Sequence, residues 1–109
     1  MNTPLSKVME IVFHTNQEDF PVVEGGVLKG FLSRKLLIQG VHLKGKDASV
    51  REIMRTDIPP VKVTTKLHEV QRLMQKYGTS AMPVARGGHV VGVVTIDDIN
   101  RIYVMLSER

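Results

Sequence analysis

The fold is decided by residues 81–99, which read AMPVARGGHVVGVVTIDDI. Two apolar runs, residues 82–85 and residues 90–94, flank a pair of glycines, and this pattern predicts a β-hairpin. Thr95 and two aspartates then stand directly before apolar residues at helical spacing, which indicates the start of a helix. The stretch therefore predicts strand, turn, strand and helix in that order.

The same pattern occurs twice in the chain. Pro21 aligns with Pro83, an offset of 62 positions, and at this offset the glycine pair at residues 25–26 falls on the pair at residues 87–88. The two halves align at this offset without a gap. A fixed period of this kind is typical of a duplicated supersecondary unit.

Each copy has the predicted order helix, strand, turn, strand, helix. A short leading strand at residues 61–63 precedes the second copy, whereas Met1 already aligns with Val63, so the first copy lacks that strand. The predicted fold is α/β of the α+β type, built from two β-α-β-β-α repeats. Residues 1–47 hold the first repeat and a connector, residues 48–109 hold the second, and we expect a piece of a longer polypeptide.

Several polar residues are predicted to begin helices. Thr3 is placed as the cap of the first helix, with Pro4 in its first turn, and Thr65 as the cap of the equivalent helix in the second repeat. Ser49 and Glu52 have the spacing of a capping box. The glycines and basic residues of segment 40–47 predict a connector.

Composition limits the class of protein. The chain has 109 residues, 42% hydrophobic and 24% charged, as in ordinary soluble globular domains. No apolar run approaches the ~20 residues of a membrane span. With no cysteine and four histidines outside metal-binding spacing, we expect no metal site. No nucleophile motif is present, so we expect no enzyme and no catalytic residues.

The charge of the chain favours small anions over nucleic acid. The net charge is +4 and the isoelectric point about 9.6, so the surface attracts anions. The basic residues are scattered, and aromatic residues make up only 5% of the chain, without a stacking platform. A nucleic-acid partner is therefore not expected.

The ordered set of elements, seen twice, resembles a known family. A strand, a Thr-led helix, a PVV-type strand (residues 21–23), a glycine turn, a GVVT strand (residues 92–95) and a Thr-x-x-Asp helix start are together similar to a CBS domain. Two in tandem resemble a CBS pair, or Bateman module, and the resemblance covers essentially the whole chain.

The resemblance implies a ligand site in the clefts between packed repeats. In the family these clefts bind adenine nucleotides or adenosyl ligands, so AMP, ADP, ATP or S-adenosylmethionine is implied as a regulatory ligand, and no cofactor is required. By resemblance, Asp98 bonds the ribose hydroxyls and Thr95 assists near the phosphates. In the first repeat Ser33 is kept, but Leu36 stands at the position of Asp98. The implied lining also includes Asp19, Phe20, Pro21, Ile58, Pro60, Val61, Thr79, Ser80, Ala81, Met82 and Pro83.

The implied function is regulatory. By resemblance, the module is expected to sense an adenosyl ligand, to control an attached domain, to form a homodimer and to lie in the cytoplasm, also when its parent spans a membrane. Residues 20–37 followed by Val50 and its neighbours resemble modules at the end of site-2-type membrane metalloproteases, and transporters, channels and dehydrogenases are further parents. The alternative is an oligomerisation or protein-interaction module without a small ligand.

Overall fold

The computed structural model describes residues 3–107, and the side chains of residues 3–101. The chain divides between Asp57 and Ile58 into two compact units. The predicted repeat boundary after residue 47 concerns the duplication in the sequence, and it stays a prediction. None of the described helices has the length and apolar character needed to cross a membrane.

The first unit is a hairpin with helices before and after it. Its elements are α1 (Leu5–Val12), β1 (Asp19–Glu24), β2 (Val27–Ser33), α2 (Arg34–Lys44) and a 3₁₀ turn (Val50–Glu52). β1 and β2 form a two-stranded antiparallel sheet. Among residues 3–57 no strand precedes α1, as the sequence predicts for the first repeat.

The second unit repeats this order with an added leading strand. Its elements are β3 (Val61–Lys62), α3 (Leu67–Tyr77), β4 (Ala81–Arg86), β5 (His89–Thr95) and α4 (Ile96–Ser107). The sheet order is β3-β4-β5, with β3 parallel and β5 antiparallel to β4. The predicted apolar face of α4 at Ile102, Tyr103 and Leu106 lies outside the described side chains.

The two hairpins have the same register. Asp19 lies opposite Ser33 in the first hairpin, and Ala81 lies opposite Thr95 in the second, 62 positions later in both strands. The register shifts by one residue directly after Val22 and again directly after Val84. The duplication seen in the sequence is therefore preserved residue by residue, and the predicted α+β fold is confirmed.

Each unit has buried apolar residues from its helices and its sheet. In the first unit a cluster of fully buried side chains joins both helices, β2 and the 3₁₀ turn: Leu5, Val12, Leu32, Leu37 and Val50. In the second unit the buried apolar residues include Ile58, Val61, Val70, Met74, Ala81, Met82 and Ile99. Removing these side chains from water supplies most of the stability of each unit.

Two of the predicted helix caps are wrong. Pro4, and not Thr3, is the residue directly before α1, and no side chain caps this helix because proline carries no hydrogen-bond acceptor in its side chain. Lys66 precedes α3, while the hydroxyl of Thr65 accepts a hydrogen bond from the Lys62 backbone N–H at 2.9 Å. Thr65 therefore stabilises the turn after β3 and does not cap α3, because its hydroxyl accepts a hydrogen bond within that turn.

The connector predicted at residues 40–47 is also wrong, since α2 continues to Lys44. Gly40 lies inside the helix and is buried. A methyl group added there would come within 2.6 Å of the Ile53 side chain. Glycine stands at this position because the segment that follows the helix packs directly onto the helix backbone.

Candidate functional site

The predicted Thr-x-x-Asp motif forms a closed pair of hydrogen bonds at the start of α4. The Asp98 backbone N–H donates to Thr95 Oγ1 at 3.1 Å, and the Thr95 backbone N–H donates to Asp98 Oδ2 at 3.3 Å. This is the geometry of a capping box, which satisfies N–H groups that have no partner inside the helix. It holds both side chains at the helix start.

The Asp98 carboxylate remains accessible. Oδ1 lies 3.6 Å from Arg101 Nη1, and the side chains of Arg101 and Asp98 are 71% and 46% exposed. An exposed pair at this distance contributes little to stability. Arg101 lies beside Asp98 and was not among the residues that the sequence pointed to, although its spacing of three residues from Asp98 on a helix is a usable signal.

The start of β4 lies beside this motif. Since Ala81 is opposite Thr95, the register of the hairpin brings the entry of β4 to the end of β5. The Ser80 carbonyl accepts the Ile96 backbone N–H at 2.8 Å, and Thr79 Oγ1 donates to the Ala81 carbonyl at 2.8 Å. Thr79, Ser80, Thr95 and Asp98 thus lie at one end of the second sheet.

A cavity opens next to these residues. It measures about 500 Å³ and is lined by Gln71, Met74, Gln75, Gly78, Thr79, Ser80 and Ile96. Two of the predicted site residues, Thr79 and Ser80, lie in its wall. The cavity has room for a small organic group beside the start of α4.

The apolar residues of the predicted lining are mostly buried. Ala81, Met82 and Pro83 on β4, and Ile58 and Val61 before and in β3, have almost no exposed surface. Pro60 and Val61 line a separate hollow of about 510 Å³ beside the turn at residues 87–88. Pro60 and Val61 therefore line a different hollow from the one lined by Thr79 and Ser80.

The first unit has only half of the motif. Ser33 Oγ accepts the Leu36 backbone N–H at 3.0 Å and caps α2, but the Leu36 side chain packs against the buried cluster and offers no acceptor. Asp19, opposite Ser33, is partly buried, as are Phe20 and Pro21. The helix start is thus conserved in form between the units, while the carboxylate occurs only in the second.

Two features mark the electrostatics of the first unit. Burial, with the Glu18 charge adding to it, raises the pKa of Asp19 above its ordinary value. Arg34 Nη2 donates to the carbonyls of Val12, Thr15 and Gln17 at 3.1, 2.6 and 2.9 Å. Arg34 thereby fixes the loop between α1 and β1, a role that the sequence did not reveal.

Among the described residues, no three His, Cys, Asp or Glu side chains cluster as metal ligands. The chemistry of the motif is that of a hydrogen-bonding site. The accessible Asp98 carboxylate accepts hydroxyl donors, while the backbone N–H groups of Ile96 and Asp98 already have partners in Ser80 and Thr95.

A family model identifies the second half of the chain. The CBS domain model matches residues 50–104, half of the sequence. The chain belongs to the CBS domain family. This confirms the resemblance drawn from the duplicated motifs.

Curated relatives share this domain at low identity. The chain is 26% identical over 100 residues to the CBS domain-containing protein YhcV of Bacillus subtilis, which covers 90% of this chain and 71% of YhcV. It is 38% identical over 81 residues to the magnesium transporter MgtE of Thermus thermophilus, but those residues span 73% of this chain and only 17% of the transporter.

Solved structures support a tandem CBS module. The CBS domain pair of protein MJ0100, solved in complex with 5′-methylthioadenosine and S-adenosyl-L-methionine, superposes with a TM-score of 0.84 at 24% identity, covering 96% of this chain and 85% of that one. The cytosolic domain of the Mg²⁺ channel MgtE, solved with ATP, gives 0.78 at 30% identity and covers 93% of this chain and 42% of that one.

Proposed function

We propose that this CBS module binds an adenosyl ligand, through a site to which Thr95 and Asp98 contribute, and thereby regulates an attached domain. The observation that carries the proposal is the accessible Asp98 carboxylate, held by the Thr95 box at the start of α4. The role is regulatory and not catalytic. On this proposal the module lies in the cytoplasm, including where the attached domain belongs to a membrane transporter or metalloprotease.

The geometry of Asp98 suits two hydroxyl donors. Its bond from the Thr95 N–H is long, at 3.3 Å, and its ion pair with Arg101 is exposed at 3.6 Å. A ribose offers two neighbouring hydroxyls, and hydrogen bonds to a charged acceptor are among the stronger ones. Hydrogen bonds from the ribose hydroxyls to the Asp98 carboxylate therefore replace its weaker contacts with Thr95 and Arg101.

Arg101 supplies the complement for an anionic group. The guanidinium lies 3.6 Å from Asp98 Oδ1 and is 71% exposed. Phosphates of AMP, ADP or ATP, or the carboxylate of S-adenosylmethionine, carry the charge that a guanidinium favours. The ligands of the MJ0100 pair and of the MgtE domain, both adenosyl compounds, support this choice of ligand class.

Regulation follows if the ligand binds one conformation of the module more tightly than another. The shift in population then equals the difference in binding free energy between the two conformations. The side chains proposed to contact the ligand include those of β4, β5 and α4, so a change at this site can be passed along α4.

The second candidate is an interaction module without a small ligand, and exposed apolar residues on the first unit favour it. Ile11, Phe13 and Leu43, on or beside α1 and α2, are 61%, 50% and 79% exposed. Contiguous exposed apolar surface marks interaction sites. A homodimer through these helices would bury them, and light scattering of the wild type and of Leu43→Lys measures whether that dimer exists.

The experiment for ligand sensing is calorimetric titration with AMP, ADP, ATP and S-adenosylmethionine, alongside thermal unfolding. A ligand at a hundred times its Kd stabilises the folded state by about 2.7 kcal/mol. Asp98→Asn keeps the shape of the side chain and removes its charge, so we expect affinity to fall by about tenfold or more.

Asp97→Asn is the matched control. Asp97 is the preceding residue on α4, is exposed, and has the same charge. It leaves affinity unchanged if Asp98 acts by direct contact, whereas a general effect of negative charge would change affinity in the same direction and to the same extent in both variants. Absence of any thermal shift with all four ligands at millimolar concentration would exclude the sensing function.

A further inference from the structure

The start of α2 in the first unit places a guanidinium group against the end of α1. The Arg34 backbone N–H donates to the Glu18 carbonyl at 2.8 Å, which sets the first residue of α2 beside the loop that leads into β1. Arg34 Nη2 then donates to the carbonyls of Val12, Thr15 and Gln17. A cation suits this position, because the carbonyl end of a helix carries partial negative charge.

Two further groups of the first unit contact the same guanidinium. Its central carbon lies 5.6 Å from the centre of the Phe13 ring, a distance at which an aromatic face attracts a cation. Arg34 Nε lies 3.5 Å from Glu18 Oε2, and the Arg34 side chain is only 20% exposed. The first unit therefore encloses a cation that its own chain supplies.

The second unit begins its last helix in the same way, but with isoleucine. Ile96 is the counterpart of Arg34 at the offset of 62 positions, and Ser80 is the counterpart of Glu18. The Ile96 backbone N–H donates to the Ser80 carbonyl at 2.8 Å, the same distance as in the first unit. The backbones of the two helix starts are therefore equivalent, whereas isoleucine has neither the length nor the charge of arginine.

The cavity of about 500 Å³ beside the start of α4 corresponds to the position of the Arg34 guanidinium. Most residues that line it are counterparts of Arg34 or of a residue that Arg34 contacts. These pairs are Ile96 with Arg34, Met74 with Val12, Gln75 with Phe13, Thr79 with Gln17 and Ser80 with Glu18. The duplicated fold thus has a guanidinium in one copy and a cavity at the same place in the other.

The end of α3 differs from the end of α1. The left-handed backbone of Gly78 brings the Thr79 N–H to the Met74 carbonyl at 3.0 Å. This turn uses the carbonyl whose counterpart, that of Val12, accepts from Arg34 in the first unit. The carbonyl end of the α3 dipole nevertheless lies at the cavity, since Met74 and Gly78 are in its wall, and it favours a cation there.

Side chains replace the acceptor that this turn uses. Gln71 and Gln75, one helical turn apart on α3, line the cavity together with Ser80. Amide and hydroxyl oxygens accept hydrogen bonds from a guanidinium group. Met74 and Ile96 add apolar side chains to the wall, which suit the flat and weakly hydrated faces of such a group.

We propose that this cavity of the second unit is a binding site for a guanidinium group, the counterpart of the site that Arg34 fills in the first. The site is separate from the proposed ribose contact, because Asp98 is two residues beyond Ile96 and lies on another side of α4. The group comes from a free small molecule or from an arginine side chain of a polypeptide, and both sources present the same chemistry to the cavity.

Titration with ethylguanidinium chloride, followed through the amide signals of ¹⁵N-labelled protein, tests the site. We expect saturable shifts at residues 74–80 and at Ile96. N-ethylurea is the matched control ligand, because its planar group resembles the guanidinium but is uncharged. It is expected to give no shift of these signals at the same concentration.

Ile96→Arg supplies the guanidinium from the chain itself, as Arg34 does in the first unit. We expect this variant to bind ethylguanidinium about tenfold more weakly or not at all. Val91→Arg is the matched control, since it adds the same charge at an exposed position of the second unit and is expected to leave affinity unchanged. If Ile96→Arg does not fold, Gln75→Lys places an ammonium at the same cavity from an exposed position of α3 and is expected to have the same effect.

Three results would overturn the proposal: no shift with ethylguanidinium, equal shifts with N-ethylurea, or unchanged affinity in both cavity variants. Two comparisons distinguish the sources of the group. Tighter binding of a glycine peptide that holds one arginine, relative to ethylguanidinium, supports a polypeptide as the source, and weaker binding supports a free small molecule. A response of residues 1–109 that is absent from a longer polypeptide containing them supports an arginine of that same polypeptide.

Discussion

At the scale of single residues, Gly30 and Gly92 occupy one position of the duplicated hairpin in different surroundings. Met54 and Arg55 lie over Gly30, while nothing lies over Gly92. We expect Gly30→Ala to lower the free energy of unfolding by about 1–3 kcal/mol through overpacking. Gly92→Ala is expected to be neutral or to add up to about 1 kcal/mol, because glycine weakens a strand.

Urea denaturation of the two variants measures this difference, and each variant is the control for the other. The substitution, the strand position and the register are the same in both. Equal losses of stability would show that the conformation of the strand, and not the contact with Met54 and Arg55, decides the effect.

Asp19 provides a prediction about pH. Burial and then Glu18 raise its pKa in the folded state, so the folded protein binds a proton more readily than the unfolded chain. Stability from this group is present at low pH and is lost as pH rises through the raised pKa. We therefore expect Asp19→Asn to be more stable than the wild type at pH 7.

The advantage of Asp19→Asn is expected to vanish at low pH. Below the ordinary pKa of 3.8, the carboxyl is protonated in both states and resembles the amide. Thermal unfolding at a series of pH values gives the comparison. An advantage that is constant from pH 3 to pH 7 would mean that charge at Asp19 is not its cause.

At the scale of elements, the connection from α1 to β1 depends on one side chain that comes later in the chain. Arg34 donates to the carbonyl of Val12 at the end of α1 and to two carbonyls of this loop, and Nε lies 3.5 Å from Glu18 Oε2. Hydrogen bonds from a charged donor contribute about 1.5–3 kcal/mol each, and losing them leaves carbonyls without partners. We expect Arg34→Met to cost about 2–4 kcal/mol.

Lys35→Met is the matched control for Arg34→Met. Lys35 is the next residue of α2 and is exposed, so its replacement is expected to change stability by less than about 0.5 kcal/mol. Hydrogen exchange of residues 13–18 adds a local measurement, since these amides are expected to lose protection only in the Arg34 variant. Similar effects of the two substitutions would remove the special role of Arg34.

The sequence predicted those elements whose signals are local. Both hairpins follow from alternating apolar runs around glycine turns, and Ser33 and Thr95 cap their helices because each hydroxyl bonds an N–H three residues on. The continuation of α2 through Gly40 could not be predicted in this way. It depends on Ile53, which is distant in sequence and fills the space above the glycine.

The predicted site shows the same division. Thr95 and the aspartates after it predicted a helix start from the local pattern, because a capping box is a local contact, whereas the resemblance to CBS domains placed Thr95 and Asp98 in the site. The burial of Ala81 and Met82 reflects the packing of the whole unit, and no short pattern carries that information. Asp98 thus remains the residue on which the proposed function depends, now with Arg101 beside it.

At the scale of the whole molecule, the two units share one backbone plan and differ in what each has kept. The first has a sheet edge paired with Arg55 and a leucine at the helix start, and the second has a carboxylate at the equivalent helix position. Duplication supplied two equivalent helix starts, and side chains alone distinguish them. The chain is therefore asymmetric in chemistry although it is repetitive in fold.

This asymmetry predicts the stoichiometry of ligand binding. On the proposed function, the second unit has a carboxylate for ribose hydroxyls at the start of its helix, whereas the first has Leu36 packed against its core at that position. A buried or unmatched ribose hydroxyl costs about 1–3 kcal/mol, enough to weaken binding at the first position by about tenfold or more. Calorimetry is therefore expected to give one adenosyl ligand per chain, with an affinity lower by about tenfold or more for Asp98→Asn. Two equivalent ligands per chain would show that the carboxylate does not select the site, because the unit without it would then bind as well as the unit with it.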